Sequence, residues 1–243
     1  MENMIDIHNH ILYGVDDGSD SFEQSKKMLK IAYDEGIRGI ILTPHHNPYR
    51  WQNEPIVLND RYRQIKEYAG SEYKDLEIYL GSEIYYGSDS LEELENKTAF
   101  TMAGGRYILI EFSPFTEYRK IKAAVMDSQQ SGYYPILAHV ERYECLLEDF
   151  ENLEKLKDYG AFIQINASSV IKERSRAEKK FIRTLLKNEM ADFVATDAHS
   201  DNHRAPLMKK CAAFIMKHCG EEYAYHLFIA NPRSVINDIY IEE

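Results

Sequence analysis

Residues 4–10 read Met4-Ile5-Asp6-Ile7-His8-Asn9-His10, an apolar run that ends on two histidines. In an extended segment residues i and i+2 point to the same side, so His8 and His10 can bind one ion while Asn9 points away. The pair alone is weak evidence, because nine histidines in 243 residues make this spacing common by chance. Its position at the end of an apolar run becomes informative only if other such runs end in the same way.

Six further short apolar runs predict buried parallel strands, at residues 39–43, 77–80, 107–112, 135–138, 162–165 and 193–196. Helical patterns lie between them: 22–35 after Ser21, 60–69, 91–96, 118–131, 149–159, 177–187, 206–217 and 221–229, with another helix start at Asn231-Pro232. No linker or internal repeat divides the chain. We therefore predict one α/β domain over residues 1–243, a barrel of about seven βα units, with a doubly wound open sheet as the alternative.

Both architectures place chemistry at the carboxyl ends of the strands, and metal-ligand residue types gather there. The residues that end the runs are His8, His10, His45, His46, Glu83, Glu111, His139, Asp197 and His199. Asn166 ends the sixth run, where we expect it to orient a water or a substrate. Imidazole and carboxylate ligands together favour Zn, Mn, Fe or a similar divalent ion over a thiolate-type structural zinc site.

Three histidines and one acidic turn are less clear. His203, His218 and His226 do not end a strand, so we leave them out of the site. Asp16-Asp17-Gly18 is compatible with a ligand or with an ordinary acidic turn closed by glycine.

The composition excludes several classes of function. A formal net charge of −11 argues against nucleic acid and anionic membranes as partners. Three cysteines without a CxxC pair, no leader pattern and no apolar run near 18 residues predict a cytoplasmic protein without membrane insertion. No cysteine is followed by Arg five residues later and no G-x-S-x-G occurs, so cysteine-phosphatase and serine-hydrolase chemistry are disfavoured and metal chemistry remains.

The chain resembles the PHP superfamily (polymerase and histidinol phosphatase), specifically the bacterial manganese-dependent protein-tyrosine phosphatases of capsule and exopolysaccharide loci. The segments that carry the resemblance are Ile5-Asp6-Ile7-His8-Asn9-His10, Val15-Asp16-Asp17-Gly18, Thr43-Pro44-His45-His46, Gly81-Ser82-Glu83-Ile84-Tyr85-Tyr86, Ile110-Glu111-Phe112, Ala138-His139-Val140-Glu141-Arg142 and Thr196-Asp197-Ala198-His199. The resemblance implies a distorted, TIM-like (β/α)7 barrel, the PHP fold, as a single metallophosphatase domain.

The resemblance also implies a set of site residues. Three divalent ions are expected, Mn²⁺ first, with Fe, Zn, Co or Mg as alternatives. The implied ligands are His8, His10, Asp17, His45, Glu83, Glu111, His139, Asp197 and His199, so that Asp17 is preferred over Asp16. Arg142 and Arg204 match the phosphate-binding arginines. A metal-activated hydroxide would attack phosphorus, and His139, His199 or a water would protonate the leaving phenolate.

The implied substrate is phosphotyrosine on a bacterial tyrosine kinase with a tyrosine-rich tail that controls capsule or exopolysaccharide synthesis. A small-molecule phosphatase such as histidinol-phosphate phosphatase is the alternative enzyme, and a degenerate metal-binding assembly module is the alternative without catalysis. Tyr49 and Trp51 either stack on the substrate phenol ring or pack their loop on the barrel. Homo-oligomerisation stays open, since helix 22–35 can present an assembly surface or pack on the barrel.

Overall fold

In residues 1–172 and 175–242, the part of the chain that the computed structural model describes, there are nine β-strands. They are β1 Met4–Asp6, β2 Ile37–Leu42, β3 His45–His46, β4 Glu77–Leu80, β5 Glu83–Tyr85, β6 Tyr107–Glu111, β7 Tyr134–Leu137, β8 Phe162–Asn166 and β9 Phe193–Ala195. The prediction located the other seven strands but missed β3 and β5. Strand β3 continues β2 beyond a break at Thr43-Pro44, and β5 continues β4 beyond a break at Gly81-Ser82. The nine strands therefore occupy seven positions around the barrel, which we call staves.

All strand pairs are parallel, and neighbouring staves follow one another along the chain. The ring closes between the first and last staves, where the Asp197 amide donates to the His8 carbonyl at 2.8 Å and the His10 amide donates to the Ala198 carbonyl at 2.8 Å. A doubly wound sheet would reverse its strand order and keep two edges. The TIM-like barrel prediction is therefore confirmed, and the open-sheet alternative is wrong.

The barrel is distorted beside β4. Strand β5 pairs with β6, but in the described part of the chain β4 has no pairing with β6. A 3₁₀ turn, Met102–Gly104, packs against both strands at this gap, with the Met102 side chain fully buried. A Cβ atom on Gly81 would lie 2.9 Å from Met102 Sδ, so a side chain at this break between β4 and β5 would displace the buried Met102.

The helices surround the barrel. The described residues form α1 Phe22–Asp34, α2 Pro55–Glu72, α3 Ser90–Glu95, α4 Tyr118–Gln130, α5 Glu144–Glu148, α6 Glu151–Asp158, α7 Ala167–Ile171, α8 Arg176–Lys187, α9 Lys209–Cys219, α10 Glu221–Tyr225 and α11 Asn231–Ile236, with a 3₁₀ turn at Val140–Arg142 and a π turn at His226–Ala230. Helix α1 begins where the Ser21 side chain accepts a hydrogen bond from the Gln24 amide, and it buries Met28 and Leu29 in the core.

Most predicted helices are confirmed, with three differences. The predicted helix 60–69 is longer and starts at Pro55, whose missing N–H is harmless in a first turn. The predicted helix 149–159 is preceded by a separate short helix, α5, and α7 was not predicted at all. Among the described residues, no helix combines the length and the apolar character needed to span a membrane.

Candidate metal centre

Glu83 lies at the centre of a cluster that brings the predicted ligands together at the carboxyl ends of the strands. Its Oε1 atom is 3.1 Å from His8 Nε2 and 2.9 Å from His139 Nε2. Its Oε2 atom is 3.2 Å from His10 Nε2 and 2.9 Å from His45 Nδ1. One fully buried carboxylate therefore contacts four imidazoles. Two of them belong to the His8-x-His10 pair, and the other two, His45 and His139, come from other strand ends around the barrel rim.

Two further carboxylates extend the cluster to either side of Glu83. Asp197 Oδ1 lies 3.7 Å from His8 Nε2 and 3.6 Å from His10 Nε2, which places it on the side of strand β1. Glu111 Oε1 lies 3.1 Å from His45 Nδ1, which places it on the side of strand β3. The i, i+2 geometry expected for the first pair is thus observed, since His8 and His10 face the same carboxylates.

The acidic turn resolves into two different roles for its aspartates. Asp17 is 45% exposed, and its Oδ1 lies 3.5 Å from His45 Nε2 and 3.5 Å from His199 Nε2, at the open edge of the cluster. The Asp16 side chain is fully buried and points instead at the far side of His10. The structure therefore brings Asp17 to the predicted ligands and places Asp16 behind them.

The chemistry of the donor set fits cations. Four overlapping sets have ligand atoms within 4.8 Å of one another: His10 with His45 and His199, His8 with His10 and Asp197, His8 with Glu83 and His139, and His45 with Glu83 and Glu111. Several of these atoms are buried and close to an opposite charge but make no well-oriented hydrogen bond in the described part of the chain, namely His8 Nε2, His10 Nε2, His45 Nδ1 and Glu83 Oε2. Buried polar atoms without a well-oriented partner are costly, so the cluster is suited to more than one metal ion.

Neighbouring carboxylates raise the pKa values of two imidazoles of the cluster. Burial alone would lower the pKa of His45, but the carboxylates of Glu83 and Glu111 outweigh it and raise this pKa to about 11. Burial is likewise outweighed at His10, where the Asp16 carboxylate raises the pKa to about 9. Without metal ions, protons on the imidazoles supply the positive charge that the carboxylates need.

Asp16 holds two of the predicted ligand segments from behind. The Nδ1–H group of His10 donates to Asp16 Oδ2 at 2.7 Å, and the backbone amide of His45 donates to the same oxygen at 2.9 Å. Asp16 Oδ1 accepts from the Gly18 amide at 2.9 Å, which closes the turn. Because Asp16 keeps a proton on Nδ1 of His10, loss of the second proton from this imidazole would leave the Nε2 lone pair facing the cluster.

Gln164 and Asn166 in strand β8 provide a second support that the sequence did not reveal. Gln164 Oε1 accepts from His8 Nδ1–H at 3.0 Å and from the His139 amide at 2.9 Å. Asn166 Nδ2 donates to Asp197 Oδ2 at 2.8 Å, and Asn166 Oδ1 accepts from Gln164 Nε2 at 2.9 Å. The prediction that Asn166 orients water or substrate is not supported, because both ends of its amide are bonded to protein.

Two predicted ligands sit on a backbone conformation that is unusual for their residue type. His139 has φ 36° and Asp197 has φ 51°, both in the left-handed region. Non-glycine residues rarely adopt such angles except where the surrounding structure imposes them, and they concentrate at functional sites. The chain turns sharply at these two strand ends, and both side chains lie in the ligand cluster, His139 on Glu83 and Asp197 on His8 and His10.

An open cavity of about 430 Å³ lies beside the cluster. Its lining includes Asp17, His45, Arg50, Trp51, Glu83, Tyr85, Glu111, Phe112, Arg142, Asp197, His199 and Arg204. Arg142 donates through Nη2 to Asp197 Oδ2, and Arg204 Nη2 lies 2.9 Å from Asp197 Oδ1. Both predicted phosphate-binding arginines therefore line the cavity and pair with the same carboxylate, that of Asp197. The Arg142 side chain is 36% exposed and the Arg204 side chain 44% exposed.

The loop after β3 contains Tyr49 and Trp51, for which packing on the barrel and stacking on a substrate were both considered. The indole ring of Trp51 stacks on His45, with ring centroids 4.7 Å apart and planes 6° from parallel, and the guanidinium carbon of Arg50 lies 4.0 Å from the indole centroid. Trp51 thus packs the loop on the barrel rim. Tyr49 is 87% exposed and is not among the residues that line the cavity.

The remaining histidines lie apart from the cluster. His46 points away from it, and its Nε2 lies 3.1 Å from Glu93 Oε2. His203, His218 and His226 are exposed, and none of them belongs to the four ligand sets, as predicted.

A TIM-like parallel barrel with a histidine and carboxylate cluster at its carboxyl rim defines the class of barrel metallohydrolases. Within that class the chain belongs to the family described as capsular polysaccharide synthesis, CpsB/CapC, whose model matches residues 4–237. The resemblance read from the sequence is therefore confirmed.

Two tyrosine-protein phosphatases are similar to the chain over most of their length. The chain is 38% identical over 240 residues to the tyrosine-protein phosphatase CpsB of Streptococcus pneumoniae, covering 97% of this chain and 99% of the relative. It is 33% identical over 225 residues to the tyrosine-protein phosphatase YwqE of Bacillus subtilis, covering 92% and 88%.

Solved structures agree with these matches. One solved structure belongs to a pair, YwqE of B. subtilis and CpsB of S. pneumoniae, described as unique metal-dependent tyrosine phosphatases. It superimposes with a TM-score of 0.91 at 31% identity, covering 98% of this chain and 96% of that one. Histidinol phosphate phosphatase of Lactococcus lactis superimposes with a TM-score of 0.61 at 17% identity, which shows a shared fold only.

Proposed function

We propose that this chain is a metal-dependent protein-tyrosine phosphatase whose substrate is an autophosphorylated bacterial tyrosine kinase that controls capsule or exopolysaccharide synthesis. Family membership and the tyrosine-phosphatase relatives support the reaction, and the family's role in capsular polysaccharide synthesis supports the substrate. The observation that carries the proposal is the position of Arg142 and Arg204, which face an open cavity directly beside the ligand cluster. Such a kinase substrate implies work in the cytoplasm, where three unpaired cysteines remain reduced.

The proposed metal centre holds three divalent ions, with Mn²⁺ as the expected ion. Its ligands are His8, His10, Asp17, His45, Glu83, Glu111, His139, Asp197 and His199. The overlap of four ligand sets through Glu83, His8, His10 and His45 supports a cluster of ions rather than a single one. Nitrogen and oxygen donors of this kind suit Mn, Fe, Zn and Co. When bound, the ions supply positive charge next to the phosphate and an acidified water as nucleophile.

The arginines of the chain bind the phosphate group. Guanidinium groups match phosphate oxygens through paired N–H donors and stay charged at every physiological pH. Asp197 fixes both Arg142 and Arg204 through its two oxygens, so the arginines are preorganised before substrate enters. In this chain of net charge −11, the pair provides local attraction for a phosphate dianion.

The leaving phenolate receives its proton from water in the open cavity. His139 is buried, its Nε2 faces Glu83, and it is not among the residues that line the cavity. His199 lines the cavity, but burial and the neighbouring His10 charge lower the pKa of His199 to about 2, so it is a neutral imidazole rather than an imidazolium acid, and its Nδ1–H is donated to the Asp197 carbonyl at 3.0 Å. We propose that both histidines serve as ligands and that neither acts as the general acid.

Turnover of two substrates distinguishes the proposed function from its alternatives. The Mn²⁺-loaded protein is assayed with a phosphotyrosine peptide and with histidinol phosphate at equal concentrations. We expect a kcat/KM at least tenfold higher for the phosphotyrosine peptide. A preference for histidinol phosphate would replace the proposal by a small-molecule phosphatase, and absence of turnover of both would favour a metal-binding module.

A further inference from the structure

Arg50 is the third arginine that lines the cavity, and its surroundings differ from those of the other two. Arg142 and Arg204 both bond to Asp197. In the described part of the chain, no carboxylate lies within 4 Å of the Arg50 guanidinium, which rests on the indole ring of Trp51. A guanidinium has five N–H donors, and those of Arg50 are exposed at the cavity mouth without an acidic partner.

The loop that carries Arg50 is held in place. Trp51 and Asn47 exchange two backbone hydrogen bonds, with the Trp51 amide donating at 2.8 Å and the Asn47 amide donating at 3.2 Å. Asn53 Nδ2 donates to the Val15 carbonyl at 2.6 Å, which ties the loop to the turn that contains Asp17. The Trp51 ring rests on His45 and the Arg50 guanidinium rests on the same ring, so the charge has a defined position.

The position of Arg50 determines which part of a substrate it can reach. The phosphate group is bound at the ligand cluster, next to Arg142 and Arg204. Arg50 makes no contact within 4 Å with the carboxylates of that cluster in the described residues, and it is exposed on the loop at the rim. It therefore meets the residues that flank the phosphotyrosine rather than the phosphate.

From this geometry we propose that Arg50 is a specificity-determining residue that binds the carboxylate of an acidic side chain next to the phosphotyrosine in the substrate polypeptide. The inference rests on the proposed phosphatase function and adds a sequence preference to it. An always-charged planar group held on an aromatic ring is well suited to a carboxylate. The chain carries a net charge of −11, so an acidic segment of the substrate depends on local positive charge, and Arg50 supplies it beside the two arginines that bind the phosphate.

The test compares wild type, Arg50→Gln and Arg50→Lys in the Mn²⁺-loaded protein with three substrates. These are a phosphotyrosine peptide flanked by Asp and Glu, the same peptide with Asn and Gln in their place, and free phosphotyrosine. A partly exposed ion pair contributes modestly, so we expect Arg50→Gln to raise KM for the acidic peptide about three- to fivefold with little change in kcat. KM for the neutral peptide and for free phosphotyrosine stays within twofold, and Arg50→Lys recovers part of the loss.

Arg63→Gln is the matched control, because Arg63 is an exposed arginine of α2 and its replacement changes the net charge equally. We expect this variant to behave as wild type with all three substrates. A rise in KM of equal size for all three substrates with Arg50→Gln would assign Arg50 to the phosphate, and unchanged KM for the acidic peptide would exclude recognition by Arg50. Either result overturns the inference, whereas lack of turnover by the wild type would refute the proposed function itself.

Discussion

Replacement of Asp16 by Asn should weaken metal binding although Asp16 is not a predicted ligand. The Asp16 carboxylate accepts from His10 Nδ1–H at 2.7 Å and from the His45 amide at 2.9 Å. Asparagine has the same shape but no charge, and its amide group has to present either an oxygen or an NH₂ group to His10. The substitution therefore tests electrostatic support of the ligands with little change in packing.

The magnitude follows from the contacts. Partners that hold a metal-binding histidine from behind typically contribute about 10- to 100-fold to metal affinity. This range corresponds to about 1.4–2.7 kcal/mol of binding free energy. We expect the upper half of the range, because one carboxylate supports both His10 and the backbone of His45 and is buried, where charge-assisted hydrogen bonds are strong.

Calorimetric titration of metal-stripped protein with Mn²⁺ measures the effect. Emission from Trp51, the only tryptophan of the chain, gives an independent signal because its ring stacks on His45. Asp20→Asn is the control, since Asp20 is an exposed carboxylate of the same loop and its replacement changes the charge equally. An Mn²⁺ affinity of Asp16→Asn within twofold of the control would refute the supporting role of Asp16.

Three further predictions concern the site and its support. Gly18→Ala should lower the free energy of unfolding in urea by about 1–3 kcal/mol, because the new Cβ would lie 2.3 Å from the His10 carbonyl oxygen. Gly70→Ala is the control and should not destabilise the protein, because no atom lies within 4 Å of its Cβ position. His139→Ala should reduce phosphotyrosine turnover at least 100-fold with an unchanged far-ultraviolet circular dichroism spectrum, and wild-type turnover would remove His139 from the site. Mn²⁺ binding should strengthen as pH rises from 6 to 8 and should release protons. The reason is that the pKa of His10 is raised to about 9 and that of His45 to about 11, so both imidazoles are protonated in ion-free protein at neutral pH. Calorimetry in buffers of different ionisation enthalpy measures this release, and an affinity independent of pH would contradict it.

The barrel could be predicted because its staves are buried on both faces and so appear as short apolar runs between amphipathic helices. Strands β3 and β5 could not, since they follow breaks at Thr43-Pro44 and Gly81-Ser82 and begin on ligand residues rather than forming an apolar run. Their pairing depends on neighbouring staves that are distant in sequence. The predicted strand ends nevertheless located His45 and Glu83, because ligand types stand out where an apolar run stops.

The supporting residues were harder to recognise from sequence. The choice between Asp16 and Asp17 depends on how one turn is oriented, which spacing does not determine. Gln164 bonds to His8 across 156 positions, and no local pattern encodes such a contact. A signal was present, however: Gln164 and Asn166 alternate with apolar residues in a fully buried strand, and buried amides require partners.

The loop of Arg50 and Trp51 illustrates the same limit. An aromatic residue next to a predicted site is compatible with substrate stacking and with packing on the barrel, and the sequence contains both possibilities. The structure decides for packing, because the Trp51 ring already contacts His45 and Arg50. Only the folded chain shows that this packing positions a charge at the cavity.

Turnover of a phosphotyrosine peptide by metal-stripped protein, before and after addition of Mn²⁺, tests the central claim most directly. Elemental analysis of the same samples establishes how many ions are bound. We predict no turnover after complete removal of metal, recovery on addition of Mn²⁺, and about three ions per chain in the active protein. Turnover that persists in protein free of metal would contradict the proposed phosphatase mechanism.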